Sequence, residues 1–200
     1  MHRKVLAAGF QTEHGKRRPE PLGEGISKAE DYRRLLKGGS HQETIERLVR
    51  HPSDLPHFAR LLFDTESEMR ILSSWLLSEM SANGYPVGGV IGELGRALCD
   101  RLPEVRCNIL QGLVYAQKGG ADLSPVIEEV VPLMFDQSDD VVSYAAIILW
   151  ESSLRGNGMA KELVAQMVLR SALDSAGMGD LDWGLDRAAS IFRKIVDHDG

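Results

Sequence analysis

Five sets of positions recur every thirty-six residues through the middle of this 200-residue chain. Aspartate stands at Asp64, Asp100 and Asp136, and a second acid at Glu68, Glu104 and Asp140. Met69, Val105 and Val141 follow at once, then Leu77, Leu113 and Leu149, then Gly84, Gly120 and Gly156. Shared spacing of this kind marks a chain built from stacked copies of one supersecondary unit.

Each unit reads as two helical stretches. Val105, Ile109 and Leu113 fall at i, i+4 and i+8, on one helical face. Pro103 stands at the start, where a missing N–H costs nothing, and Gly119 and Gly120 supply the stop. The following stretch, 123–135, turns Ile127, Val131 and Met134 inward; Ile91, Gly95 and Leu98 hold the matching places one unit earlier. One such pair cannot bury both of its faces, so neighbours must stack. The expected fold is all-α: a right-handed α-solenoid of about five helix pairs, with an outer and an inner row.

The ends depart from the pattern. Residues 1–27 read as a flexible basic arm carrying the run Lys16–Arg18. Residues 28–200 form one domain. Within it, 28–52 is an N-terminal cap pair broken at Gly38-Gly39, 53–171 holds the central repeats, and 172–200 is a C-terminal cap. The spacing calls for aspartate at 172, but the chain has Ala172, so the register slips or the repeat ends there. A last helix is expected with Leu185, Ala189, Phe192 and Val196 along its apolar stripe.

Charge narrows the partner. Residues 1–60 hold 12 Lys and Arg against 8 Asp and Glu, whereas residues 61–200 hold 11 against 21. Phosphate backbones need Lys and Arg, so nucleic acid is not the expected partner of the acidic body. A basic protein surface is, because opposite fields speed encounter. No apolar run is long enough to cross a bilayer, and the first eighteen residues have no sustained apolar stretch. A cytoplasmic protein without membrane contact is expected. Cys99 falls where other units carry Phe63 and Phe135, and is expected as a small, reduced core residue. The histidines lack metal-ligand spacing, and GGVIGELG lies in an outer helix rather than between strand and helix. No metal or cofactor is expected, and no catalytic residue.

The stretch VVPLMFDQSDDVVSYAAIIL resembles a HEAT repeat: an outer helix with a proline inside, an Asp at its end, a short turn, and an inner helix opening on Val. The resemblance covers roughly residues 53–171. It implies that each Asp pairs with an Arg six residues on, as Asp64 with Arg70 and Asp100 with Arg106 would. Asp136 meets Val142 instead, so the ladder is expected to break at the third unit. These aspartates are expected to be structural, capping the inner helix or bonding the adjacent turn.

In such a solenoid, function belongs on the concave face. Positions two, six and ten after the opening Met or Val should point outward: Ile71, Cys107 and Ser143; Trp75, Gln111 and Ile147; Glu79, Tyr115 and Glu151. Leu72, Asn108 and Tyr144 flank that stripe, with Trp150 beside its end. The candidate partner-binding residues are Trp75, Glu79, Asn108, Gln111, Tyr115, Tyr144, Ile147, Trp150 and Glu151. Aromatic anchors among amides and acids suit a protein interface. The expected function is non-catalytic binding of a basic protein. By its resemblance to small bacterial HEAT-like proteins, it could be an immunity protein neutralising a toxin; an adaptor or assembly factor is the alternative of the same class. The enzymatic alternative is a HEAT-like DNA glycosylase, with Trp75 and Glu79 as its aromatic and acid; a HEAT-like lyase acting on a pigment-bearing protein has only the fold in its favour.

Overall fold

The computed structural model describes residues 22–175 and Ser190, with side chains from 28 to 169 and at Ser190. Nine α-helices occur among the described residues, with short 3-10 segments between some of them. They are α1 (Leu22–Lys37), α2 (His41–Arg50), α3 (Leu55–Ala59), α4 (Ser67–Ala82), α5 (Ile91–Ala97), α6 (Pro103–Lys118), α7 (Ile127–Val130), α8 (Asp139–Leu154) and α9 (Gly158–Ser175). The inner row is α4, α6 and α8, each packed on the next. The outer row is made of α3, α5 and α7 with their 3-10 extensions, and α9 closes against α8. The chain is therefore an all-α solenoid of stacked helical pairs.

The glycine clock is a set of helix stops. Gly84, Gly120 and Gly156 have φ of 79°, 94° and 97°. At each, the following N–H reaches back to the last helical turn: Tyr85 to the Met80 carbonyl, Ala121 to Ala116, Asn157 to Ser152. With the glycine's own N–H, which reaches Ser81, Gln117 or Ser153, this makes a pair of reverse bonds that satisfies orphan carbonyls of the helix end, and glycine takes the left-handed backbone without strain. Gly39 repeats the motif after α1, with φ of 74°. It lies forty-five residues before Gly84 rather than thirty-six. The surplus is taken up by α2, a ten-residue helix that the later units lack.

The outer stretches are less regular than the periodicity predicts. Residues 123–135 do not form one helix: Ser124–Val126 and Val131–Phe135 are 3-10 and only Ile127–Val130 is α. Pro132 denies an N–H to an α-helical bond, which explains the tighter winding. The changed winding moves the buried face. Val130 is fully buried and Val131 only half, while Ile127 and Met134 are buried as expected. Ile91, Gly95 and Leu98 are all buried. Cys99 is exposed, and so are Phe63 and Phe135, each about half. Standing last before the turn, this column faces solvent; its apolar character misplaced it in the core.

α1 begins at Leu22, so the expected boundary at residue 28 falls inside a helix. Tyr32 is fully buried edge-on to Phe58, with ring centroids 5.6 Å apart, and its hydroxyl donates to Asp54. At the other end, α9 runs unbroken through Ala172 to Ser175, so no aspartate turn interrupts it. The expected arm over residues 1–21 and the stripe of Leu185, Ala189, Phe192 and Val196 lie outside the described residues.

Candidate functional site

The aspartate ladder sets the spacing of the inner helices. Each Asp accepts the backbone N–H two residues on: Glu66 for Asp64, Leu102 for Asp100, Ser138 for Asp136. Each also takes a guanidinium from the preceding unit. Arg70 pairs with Asp100, Arg106 with Asp136 at 2.7 Å, and Arg33 with Asp64 at 2.9 Å. The expected pairing of each Asp with the Arg six residues on is thereby corrected. Arg70 and Arg106 bond only the backbone carbonyls of Asp64 and Asp100, at 3.0 and 2.7 Å, and send their charge forward to the next unit. Nor does the ladder break at Asp136, which is paired from behind. Burial would raise the Asp64 carboxyl; the Glu66 N–H and the Arg33 guanidinium outweigh it and hold the group below the usual carboxylate range.

With the ladder along one edge, the exposed face of the inner row is defined. Trp75 and Tyr115 are the most open aromatic residues of α4, α6 and α8, 36 and 37% exposed. Ile147, Tyr144 and Trp150 lean on the core and are half-buried. Two candidate amides are partly spent on structure. Asn108 donates to the Ser74 hydroxyl at 3.2 Å, and Gln111 accepts from Ser78 at 3.3 Å. Both bonds tie α6 to α4. That contact is close because residue 112 is glycine: a Cβ there would come within 3.2 Å of the Ser78 Cα.

Glu79, Tyr115 and Glu151 form a row across three neighbouring helices, each three residues before its helix ends. Helix C-termini carry partial negative charge. Glu79 and Glu151 thus add carboxylates where the field is already negative, and neither has an ion-pair partner among the described residues. Nearer the other end of the face, burial raises the Tyr144 phenol, aided by Cys107, Tyr115 and Asp140. Burial, with Asp140 and Glu104, also pushes up the Cys107 thiol.

Two further residues belong to this face. His41, at the start of α2, lies edge-on to Trp75 with centroids 5.4 Å apart. Tyr85, 38% exposed, shares with Tyr115 a groove of about 330 Å³ floored by Gly84 and Gly120. The helical stripe could not find Tyr85, which stands in the loop just past the Gly84 stop. His41 sits on the helix that the thirty-six-residue period does not contain.

Among the described residues no helix is long and apolar enough to cross a membrane, and no group of three or more His, Cys, Asp or Glu could hold a metal ion. No known family profile matches the chain, and no curated protein matches it. Among solved structures, a designed armadillo repeat protein in complex with the peptide (KR)4 is similar, with a TM-score of 0.47 and 16% identity over 86% of this chain and 80% of that chain.

Proposed function

We propose that this protein is a non-catalytic binding module whose inner-row face holds a basic segment of a partner protein. The observation that carries the reading is the row Glu79–Tyr115–Glu151. It places an exposed aromatic ring between two carboxylates that have no counter-ion among the described residues, at the negative ends of three helices. A Lys or Arg over such a ring gains roughly 0.5–2 kcal/mol from the ring quadrupole, and the flanking acids add to it. Trp75 supplies an apolar anchor one turn before Glu79.

Two further features favour adhesion over chemistry. Arg70 and Arg106 are committed to Asp100 and Asp136, which leaves few cations for a phosphate backbone. Burial raises the Cys107 thiol, away from the thiolate that acts as a nucleophile. An immunity protein that occludes a basic toxin is the finer form of this reading; an adaptor uses the same face.

The test is a calorimetric titration of the full chain with an octapeptide of lysine and arginine, beside one of aspartate and glutamate. The basic peptide should bind, more weakly as salt rises, and Trp75→Ala and Glu79→Ala should each cost about tenfold. Equal affinity for both peptides, or indifference to both substitutions, would sink the reading.

A further inference from the structure

The C-terminal ends of α4, α6 and α8 enclose two chambers, one unit apart. The first, about 330 Å³, lies between the ends of α4 and α6 and is walled by Tyr85, Pro86, Val87, Tyr115 and Ala116. The second, about 190 Å³, lies between the ends of α6 and α8 and is walled by Gln117, Asp122, Ser124, Ser152 and Arg155. Both include Gly120 and Ala121, so they form one trough. We propose that this trough holds a partner segment in the polyproline II conformation, with a proline in the first chamber and, three residues away, an asparagine or glutamine in the second. This rests on the reading of the inner-row face as the seat of a basic segment, and sharpens it.

The thirty-six-residue period relates the two chambers and shows how their chemistry differs. Where the first has Tyr85, Pro86 and Gly119, the second has Ala121, Asp122 and Arg155. The first is therefore aromatic and apolar, with Tyr85 and Tyr115 both exposed. Aromatic slots take proline well, because its segment is already extended and loses little entropy on docking.

The second chamber suits a neutral group that both donates and accepts. Arg155 gives one N–H to the Gln117 backbone carbonyl at 2.8 Å and has no carboxylate partner among the described residues. Asp122 accepts the Ser124 N–H at 2.9 Å, and that bond with the Ser124 hydroxyl holds its carboxyl below the usual range. A cation entering the chamber meets Arg155, and an anion meets Asp122. A carboxamide answers both: its oxygen accepts from the guanidinium and its N–H donates to the carboxylate. Gln117, 2% exposed, spends its own side-chain N–H on Ser152 at 2.8 Å and leaves its Oε1 without a partner among the described residues.

Spacing sets the conformation. Neighbouring helix axes lie ~8–10 Å apart. Residues three apart in polyproline II point the same way and stand about 9 Å apart. Same-side residues of a β-strand stand about 7 or 13 Å apart. An α-helix, about 10–12 Å wide, is too broad to enter a chamber of about 190 Å³. Tyr115 belongs to both the trough and the acidic row, so the two intervening residues lie beside Glu79 and Glu151 and are best filled by Lys or Arg.

Calorimetric titration of the full chain with octapeptides of equal charge tests the trough. The probes are KRPKRNKR, KRNKRPKR, KRPNKRKR and KRGKRGKR. One of the first two, according to chain direction, should bind about tenfold more tightly than the glycine peptide. The third, with its spacing lost, should keep only the proline's share of that gain. Tyr85→Ala should remove the proline's share and Tyr85→Phe should keep it, while Arg155→Met should remove the asparagine's share. Equal affinity for all four peptides overturns the trough and leaves the basic-partner reading intact. A gain that survives both Tyr85→Ala and Arg155→Met also overturns it. A gain lost in those variants, yet indifferent to salt and to Glu79→Ala, upholds the trough and removes the cation row instead. No binding of any peptide overturns both.

Discussion

Arg70 reaches forward thirty residues to Asp100, not back six to the carboxylate of Asp64. One guanidinium thus serves two units: it takes the Asp64 carbonyl of its own turn and the carboxylate of the next. Both side chains are about nine-tenths buried. Removing one member of a buried pair strands the other, so Arg70→Ala should cost about 3 kcal/mol in urea unfolding. Arg33→Ala, at a more open pair, should cost clearly less.

The forward pairing joins two sequence anomalies into one. Residue 142 is the next ladder Arg position and residue 172 the next ladder Asp position; they hold Val142 and Ala172. Val142 is fully buried, and α9 continues through 172. Val142→Arg should therefore bury an unpaired cation and cost ~3 kcal/mol or more. Adding Ala172→Asp should not recover the loss, since a continuous helix offers no turn to present the carboxylate. Thermal melts of both variants check this.

Much of this fold was legible because helix stops and buried leucines repeat with the backbone. The glycines at 84, 120 and 156 and the leucines at 77, 113 and 149 are set by local physics that each unit repeats. The Arg–Asp pairing was not legible: spacing reports that an Arg stands six residues after an Asp, not which unit receives its charge. Cys99 shows the same limit, as an apolar column can face solvent where a stretch ends. On the candidate face, Trp75, Glu79 and Tyr115 were readable from helical position alone. Tyr85 and His41 were not, because each enters from outside the repeated helices.

Two glycines separate packing from backbone entropy. Gly112→Ala would press a methyl group against the Ser78 backbone and should cost about 1–3 kcal/mol. Gly92, in α5, has nothing within 4 Å of an added Cβ. Gly92→Ala should stabilise the protein by about 0.5–1 kcal/mol. Paired denaturant titrations would show opposite shifts in midpoint.

Acid should loosen the first unit through Asp54 and Asp64. Burial would raise both carboxyls, but their partners prevail and both stay below the unfolded value: Lys28 and Tyr32 at Asp54, the Glu66 N–H and Arg33 at Asp64. A depressed folded value means stability that is full above the unfolded pKa of about 3.9 and lost as pH falls through the lower folded value. Unfolding free energy should therefore decline as pH drops below about 4–5, and Asp64→Asn should flatten part of that decline.

The central claim is that the exposed face of α4, α6 and α8 is where a partner sits. Amide and indole NMR spectra, recorded while the lysine and arginine octapeptide is added to the full chain, test it most directly. Shifts should concentrate at Trp75, Glu79, Tyr115 and Glu151, with His41 and Tyr85 at the margin. Shifts gathered instead around Phe63, Cys99 and Phe135, with the Trp75 indole unmoved, would contradict it.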